Sequence, residues 1–258
     1  MNASPARTQR WLASLAVLAN IFFNYWSNAH PLNGKTIGDV SNQYPTLFTP
    51  AGYAFSIWGL IYLSLLLYAI YQLWPSQRSV GIYDQLASPL ILTSVLSVLW
   101  IIAFSYEWLG SSVLLIVGML LTALLLFVRA RNWTQHAGGG SWLAVPFSLY
   151  AGWLTVATIA ATATALYAKG WRGAPLSESV WAVLLIAVAT GIGLFISWRF
   201  RDWIYPLVIA WASVAIWVAR RHDHPMVAYV AFTAAGVLLI GALIVGTRQT
   251  PWPRSQPA

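Results

Sequence analysis

Residues 48–75 read FTPAGYAFSIWGLIYLSLLLYAIYQLWP. Pro50 fixes its own φ and has no N–H to donate, so it suits the start of a helix and not its interior. Gly52 lets the backbone turn or approach a neighbour closely. From Tyr53 the run stays free of charge for about twenty residues, the length a helix needs to cross a hydrocarbon core. Trp58 and Tyr62 stand four residues apart and so share one helix face. A helix that meets only lipid has no need of amphipathic rings at mid-depth. The stretch therefore predicts a membrane helix that forms the wall of a small-molecule pocket, with the turn before it as the rim.

Composition extends that reading to the whole chain. Of 258 residues, 59% are hydrophobic and 8% charged, with a mean hydropathy of +0.66. Soluble domains carry roughly a quarter charged residues, so this is an integral membrane protein with the lipid bilayer as its first partner. The absence of cysteine excludes disulfides, thiolate metal sites and cysteine nucleophiles. The net charge of +8 does not indicate nucleic acid. The basic residues sit in short loops between apolar runs, where the positive-inside rule puts them, and do not form a patch interleaved with exposed aromatics.

Working outward, Arg7 and Arg10 precede a run from Trp11 to Ala29 that reads as a retained helix and not a cleaved leader, since no small-residue cleavage site follows. Asn20 and Asn24 share a face suited to helix–helix hydrogen bonds. Residues 30–52 form the longest polar connection, a candidate lid shaped by Pro45, Pro50, Gly52 and Tyr53. Beyond Pro75, apolar runs cover Leu86–Phe104, Gly110–Val128, Trp142–Ala168, Val180–Trp198, Trp203–Ala219 and Met226–Val245. Arg129 and Arg131 are expected to end the fourth helix, with residues 132–141 a flexible loop and 247–258 a disordered tail. Ala157, Ala161 and Ala165 recur every four residues and permit close helix packing. The fold class is all-α, a polytopic membrane helix bundle of about eight helices, with no alternating pattern of the outer-membrane barrel type. Nine basic residues (Arg7, Arg10, Arg78, Arg129, Arg131, Arg199, Arg201, Arg248, Arg254) fall on the side of the N-terminus and five (Lys35, Lys169, Arg172, Arg220, Arg221) on the other, which favours cytoplasmic termini.

The chemistry available is narrow. The acidic, basic and histidine residues all fall in loops or at helix ends, which counts against an ion-driven transporter and leaves no intramembrane Lys or His for a Schiff base or a haem ligand. His222-Asp223-His224 reads as a solvated turn more than a metal site. No nucleophile–base pair can be assembled, so no catalytic residue and no metal are predicted. What remains are aromatic faces, hydroxyls and indole N–H groups, which suit a flat apolar ligand with few polar handles. Trp58 and Trp153 lead the candidates, with Trp100 and Phe104 as wall or core and Tyr62 and Tyr150 as hydroxyl donors.

These residues resemble the TspO/MBR family, the tryptophan-rich sensory or translocator proteins. Pro50, Tyr53, Phe55, Trp58 and Tyr62 match its second-helix pattern, with one residue fewer between Phe and Trp and Ala51 in place of a second Pro. Trp100 and Phe104 keep the third-helix spacing, with Ser97 where Asn is usual. Tyr150, Trp153, Ala157 and Thr158 match the fifth helix, with Leu149 and Ala161 replacing Pro and Asn. The resemblance, carried by residues 11–168, implies a five-helix core over residues 1–170 around a pocket capped by the first loop, with Trp58 facing Trp153. Residues 171–246 would then add three further membrane helices. It implies a binding or sensor protein for porphyrins (tetrapyrroles) or similar hydrophobic ligands, with no resident cofactor, in a bacterial cytoplasmic (inner) membrane. Light-dependent porphyrin breakdown and passive transport are the alternatives it leaves open, as is assembly into a homodimer.

Overall fold

The computed structural model describes residues 5–136 and 141–248. Eight long helices account for most of them: α1 (Pro5–Ala29), α3 (Ile57–Tyr71), α4 (Ile82–Ser105), α5 (Leu109–His136), α6 (Val145–Ala168), α7 (Glu178–Phe200), α8 (Ile204–Arg220) and α9 (Pro225–Thr247). A ninth, α2 (Ile37–Gln43), lies within the expected lid loop. Among the described residues there is no strand. The bundle is the fold class the apolar runs predict.

Several boundaries differ from expectation for local reasons. The chain from Gly52 to Ser56 winds as a 3-10 turn, and α-helix begins only at Ile57. Arg129 and Arg131 do not end α5, which continues to His136 because both side chains find carbonyl partners. Of the expected loop, residues 137–140 lie outside the described residues, as do 249–258 of the expected tail. The short α2 is started by a capping box in which the Thr36 hydroxyl accepts from Asp39 N–H and the Asp39 carboxylate accepts from Thr36 N–H.

Among the described residues, six helical segments are long and apolar enough to cross a membrane: Gly52–Tyr71, Ile82–Ser105, Leu109–His136, Trp142–Ala168, Glu178–Phe200 and Pro225–Thr247. The other two long helices differ in kind. α8 has 17 residues, a rise of about 25 Å, and α1 carries Arg7, Arg10, Asn20 and Asn24 along its length. α4 packs between α1 and α5, α5 against α6, and α3 against α1 and α6. α7, α8 and α9 pack on one another, and α8 lies along α6. α6 and α7, although consecutive, scarcely touch.

The charged residues at the helix ends are less solvated than expected. Arg10 is buried, with bonds to both oxygens of Asp84 at 2.5 and 2.9 Å and to the carbonyls of Gln77 and Val80. Asp202 is also buried. It caps α8 by accepting from Ile204 N–H and Tyr205 N–H, accepts from the Ser148 hydroxyl of α6 at 2.8 Å, and faces Arg131 of α5 at 3.7 Å. Both clusters are compensated, as buried charges must be. Asn20 is buried as well, but its Oδ1 has no partner and so makes no helix–helix bond.

Candidate functional site

The Pro50–Gly52 rim and the 3-10 turn after it place Phe55 and Trp58 at the head of α3, facing α6. Trp153 of α6 stands edge-on to both, with ring centroids at 5.9 Å from Phe55 and 6.3 Å from Trp58. Trp100 and Phe104, one turn apart on α4, stack at 5.2 Å. Together these rings bound a cleft whose remaining wall is Val156, Ala157, Ala160, Ala161 and Thr164 of α6. Ile37 and Ser41 of α2, with Thr49 and Pro50, close it from above. It contains about 540 Å³ of non-protein space, part of it continuous with the exterior. The space is a narrow slot.

Four of the six expected ligand residues (Trp58, Trp100, Phe104 and Trp153) therefore line one cleft. Tyr62 and Tyr150 sit behind Trp58, stacked at 5.2 Å and edge-on at 6.0 Å, and do not line it. Of the lid residues, Pro50 lines the cleft, Pro45 and Gly52 are exposed, and Tyr53 packs edge-on against Trp211 of α8 at 5.3 Å. The alanine repeat has a different use from close packing. Ala157 and Ala161, with Ala160, face the cleft, where small side chains leave it open.

Two polar atoms in the wall stand out. The indole N–H groups of Trp100 and Trp153 are buried and have no hydrogen-bond partner. Leaving a buried donor unpaired costs about 1–3 kcal/mol, and most native buried polar groups are paired. Both groups belong to side chains that line the cleft, so an occupant is the natural source of an acceptor.

The lid is tied down at both of its halves. The first half is held by Glu107, which sits in the α4–α5 turn at φ 58°. Its carboxylate accepts from Lys35 Nζ, from the Tyr44 hydroxyl at 2.6 Å and from Gln43 Nε2 at 2.9 Å. The Lys35 ammonium, then Tyr44, hold the Glu107 carboxyl below its ordinary pKa, and the same carboxylate pushes the Tyr44 hydroxyl up. The second half is held by α8. Thr46–Thr49 forms a turn, with Thr49 N–H donating to Thr46 O at 3.1 Å, and Arg220 Nη2 donates to the carbonyls of Thr46 and Thr49 at 3.0 and 3.3 Å. Ala51 N–H donates to Ala215 O, and Trp211 Nε1 to Ala54 O. Glu107 and Arg220 read in the sequence as ordinary loop charges. The Thr36-x-x-Asp39 capping pattern was the only signal of α2.

Eight long helices, six of them able to cross a membrane, and a lidded aromatic cleft at one end define an integral multi-pass membrane protein. The sequence model of the TSPO-like protein family matches residues 10–244, and the chain belongs to that family. The match runs on from the residues that carry the resemblance through α7 and α8 and into α9. No curated protein and no solved structure matches the chain.

Proposed function

We propose that the protein binds a flat, apolar ligand of the tetrapyrrole class between Trp58, Trp100, Phe104 and Trp153, and acts as a membrane sensor or carrier for it. Membership of the TSPO-like family supports a sensor or transporter role. The observation that carries the ligand class is the pair of unpartnered indole N–H groups in an otherwise aromatic and aliphatic wall. A ligand with broad π-faces and a few acceptor groups at its edge, such as a carboxylated porphyrin, satisfies both features. The slot is too thin to admit such a ligand as it stands, so the lid moves on binding. The excess of basic residues at the end remote from the lid supports a reading in which the cleft lies toward the outer side of a bacterial cytoplasmic membrane.

The test is a titration of the purified protein with protoporphyrin IX, followed by tryptophan quenching. Trp58→Ala combined with Trp153→Ala is expected to weaken binding by at least about a hundredfold, the loss of two aromatic faces and one donor. Unchanged affinity in that double variant overturns the assigned site.

A further inference from the structure

A second cavity lies on the far side of the lid's second half, in the gap where α6 and α7 diverge. Its walls are Ala163 and Tyr167 of α6 and Trp181, Ala182 and Leu185 of α7. About 410 Å³ of non-protein space lies there, part of it open to the exterior. Polar groups at its rim are already engaged: Trp181 Nε1 donates to Gly173 O, and Arg172 Nη1 to Tyr167 O. Arg172 and Glu178, paired at 3.6 Å, also line the groove, so the contact it offers is mainly apolar, and both flanking helices are long and apolar enough to span a membrane.

The two cavities share one partition. On α6, Ala163 faces the groove and Thr164 the cleft. In the lid, Thr46, Leu47 and Phe48 face the groove, whereas Thr49 and Pro50 face the cleft. The barrier is thus the Thr46–Thr49 turn with the buried Phe48 ring, and a single guanidinium from α8 holds the carbonyls at both its ends. Arg220 Nε is buried with no partner, so the hold rests on Nη2.

We propose that groove and cleft are two chambers of one path, by which an apolar molecule passes from the bilayer between α6 and α7 to the aromatic cleft. The Thr46–Thr49 turn is its gate and Arg220 the positioning residue that latches it. Only the identity of the molecule in the inner chamber rests on the tetrapyrrole reading. The path itself is a matter of access.

The chain has no cysteine, so Ala157→Cys puts the sole thiol on the cleft wall, where N-phenylmaleimide supplied through the lipid of proteoliposomes reports access without any porphyrin. Filling the groove with Ala163→Phe is expected to slow labelling about tenfold, and removing the latch with Arg220→Met to speed it about tenfold, the weight of one charge-assisted hydrogen bond. Arg220→Lys falls between the parent and Arg220→Met, and Arg221→Met, an exposed neighbour, changes nothing. Ala163→Leu repeats the block with less bulk should the Phe variant not fold, and a separate Ser76→Cys protein, exposed at the opposite end, controls for reagent delivery. Labelling of the Ala163 variants at the parent rate places access elsewhere and overturns the path. Labelling of Arg220→Met at the parent rate overturns the latch. A protein that fails to bind protoporphyrin sinks the ligand reading and leaves both of these results decisive.

Discussion

Trp58 and Trp153 meet edge to face across the cleft, with ring centroids 6.3 Å apart and planes at 82°. An edge-to-face pair satisfies the quadrupoles of the two rings and adds about 0.5–1.5 kcal/mol beyond buried area. It does nothing for the Trp153 N–H, which stays unpaired. The pair thus fixes the wall while leaving a donor unused, and ring and donor can be separated by mutation.

Trp153→Phe keeps an aromatic ring and deletes the N–H. In the ligand-free protein no hydrogen bond is lost, so stability falls only through lost volume, by about 1–3 kcal/mol. If the N–H meets an acceptor on the ligand, protoporphyrin affinity falls about tenfold. Thermal melts and fluorescence titrations on the same preparations separate the two effects. A Trp153→Phe protein that binds as tightly as the parent removes the indole N–H from the ligand's contacts.

Acid is expected to loosen the first half of the lid. Glu107 has its carboxyl pKa depressed below the ordinary 4.5, first by Lys35 and then by Tyr44. A depressed folded-state pKa contributes stability that is complete above the ordinary value and is lost as pH falls through the depressed one. Asp39, whose carboxyl is also lowered by its capping bonds to Thr36, adds to the same acid limb. Tyr44, raised above 10.0 by Glu107, acts in the opposite sense: its contribution holds below 10.0 and is lost as pH rises through the raised value. Amide protection over residues 35–44, corrected for intrinsic exchange, should stay flat from about pH 5 to about pH 9 and fall on either side. Glu107→Gln should lower the plateau and shrink the acid limb to the Asp39 part. A full acid limb in that variant would remove Glu107 from the latch.

The aromatic wall was legible because its members carry helical spacing. Trp100 and Phe104 stand one turn apart in an apolar run, and the family resemblance supplied which helices face each other. The one residue missing between Phe55 and Trp58 is absorbed by the Gly52–Ser56 turn. Three residues per turn instead of 3.6 bring Phe55 to Trp153 while Trp58 follows in the first turn of α3. Arg220 and Asp202 were not legible, since each reads as a charge at a loop. What buries them is the set of carbonyls, hydroxyls and amides that other helices bring opposite, and no one-dimensional pattern carries that. The use of the alanine repeat was hidden for the same reason: small residues permit close packing and permit a cleft, and only the neighbours decide which.

The Asp202 cluster joins α5 and α6 to the α7–α8 connection, and its loss should be felt across the whole bundle. Asp202→Ala leaves the Arg131 guanidinium buried without its carboxylate and uncaps α8. The expected cost is about 3–5 kcal/mol, visible as a lower melting temperature in detergent. Adding Arg131→Met removes the stranded charge and should recover part of that loss. If the double variant is as unstable as the two single losses summed, the pair is not coupled and the cap alone matters.

Gly152 marks the point where α6 crosses α8, and its lack of a side chain sets how near the two helices lie. A Cβ there would stand 3.1 Å from Val208 Cβ and 3.2 Å from the Tyr205 carbonyl oxygen, and neither a branched β-carbon nor a backbone oxygen can rotate away. Gly152→Ala must therefore shift α8 itself, at a cost of about 1–3 kcal/mol. The same helix delivers Ala215 and Arg220 to the lid at its other end, so the shift should also reach the gate. The Ala157→Cys protein carrying Gly152→Ala is expected to label faster than its parent. Gly59→Ala provides the contrast: nothing lies within 4 Å of its added carbon, and a glycine replaced within a helix gains about 0.5–1 kcal/mol with no change in labelling. Faster labelling in Gly152→Ala alone ties the α6–α8 crossing to access. Equal labelling in both variants means that α8 packs on the core without controlling the lid.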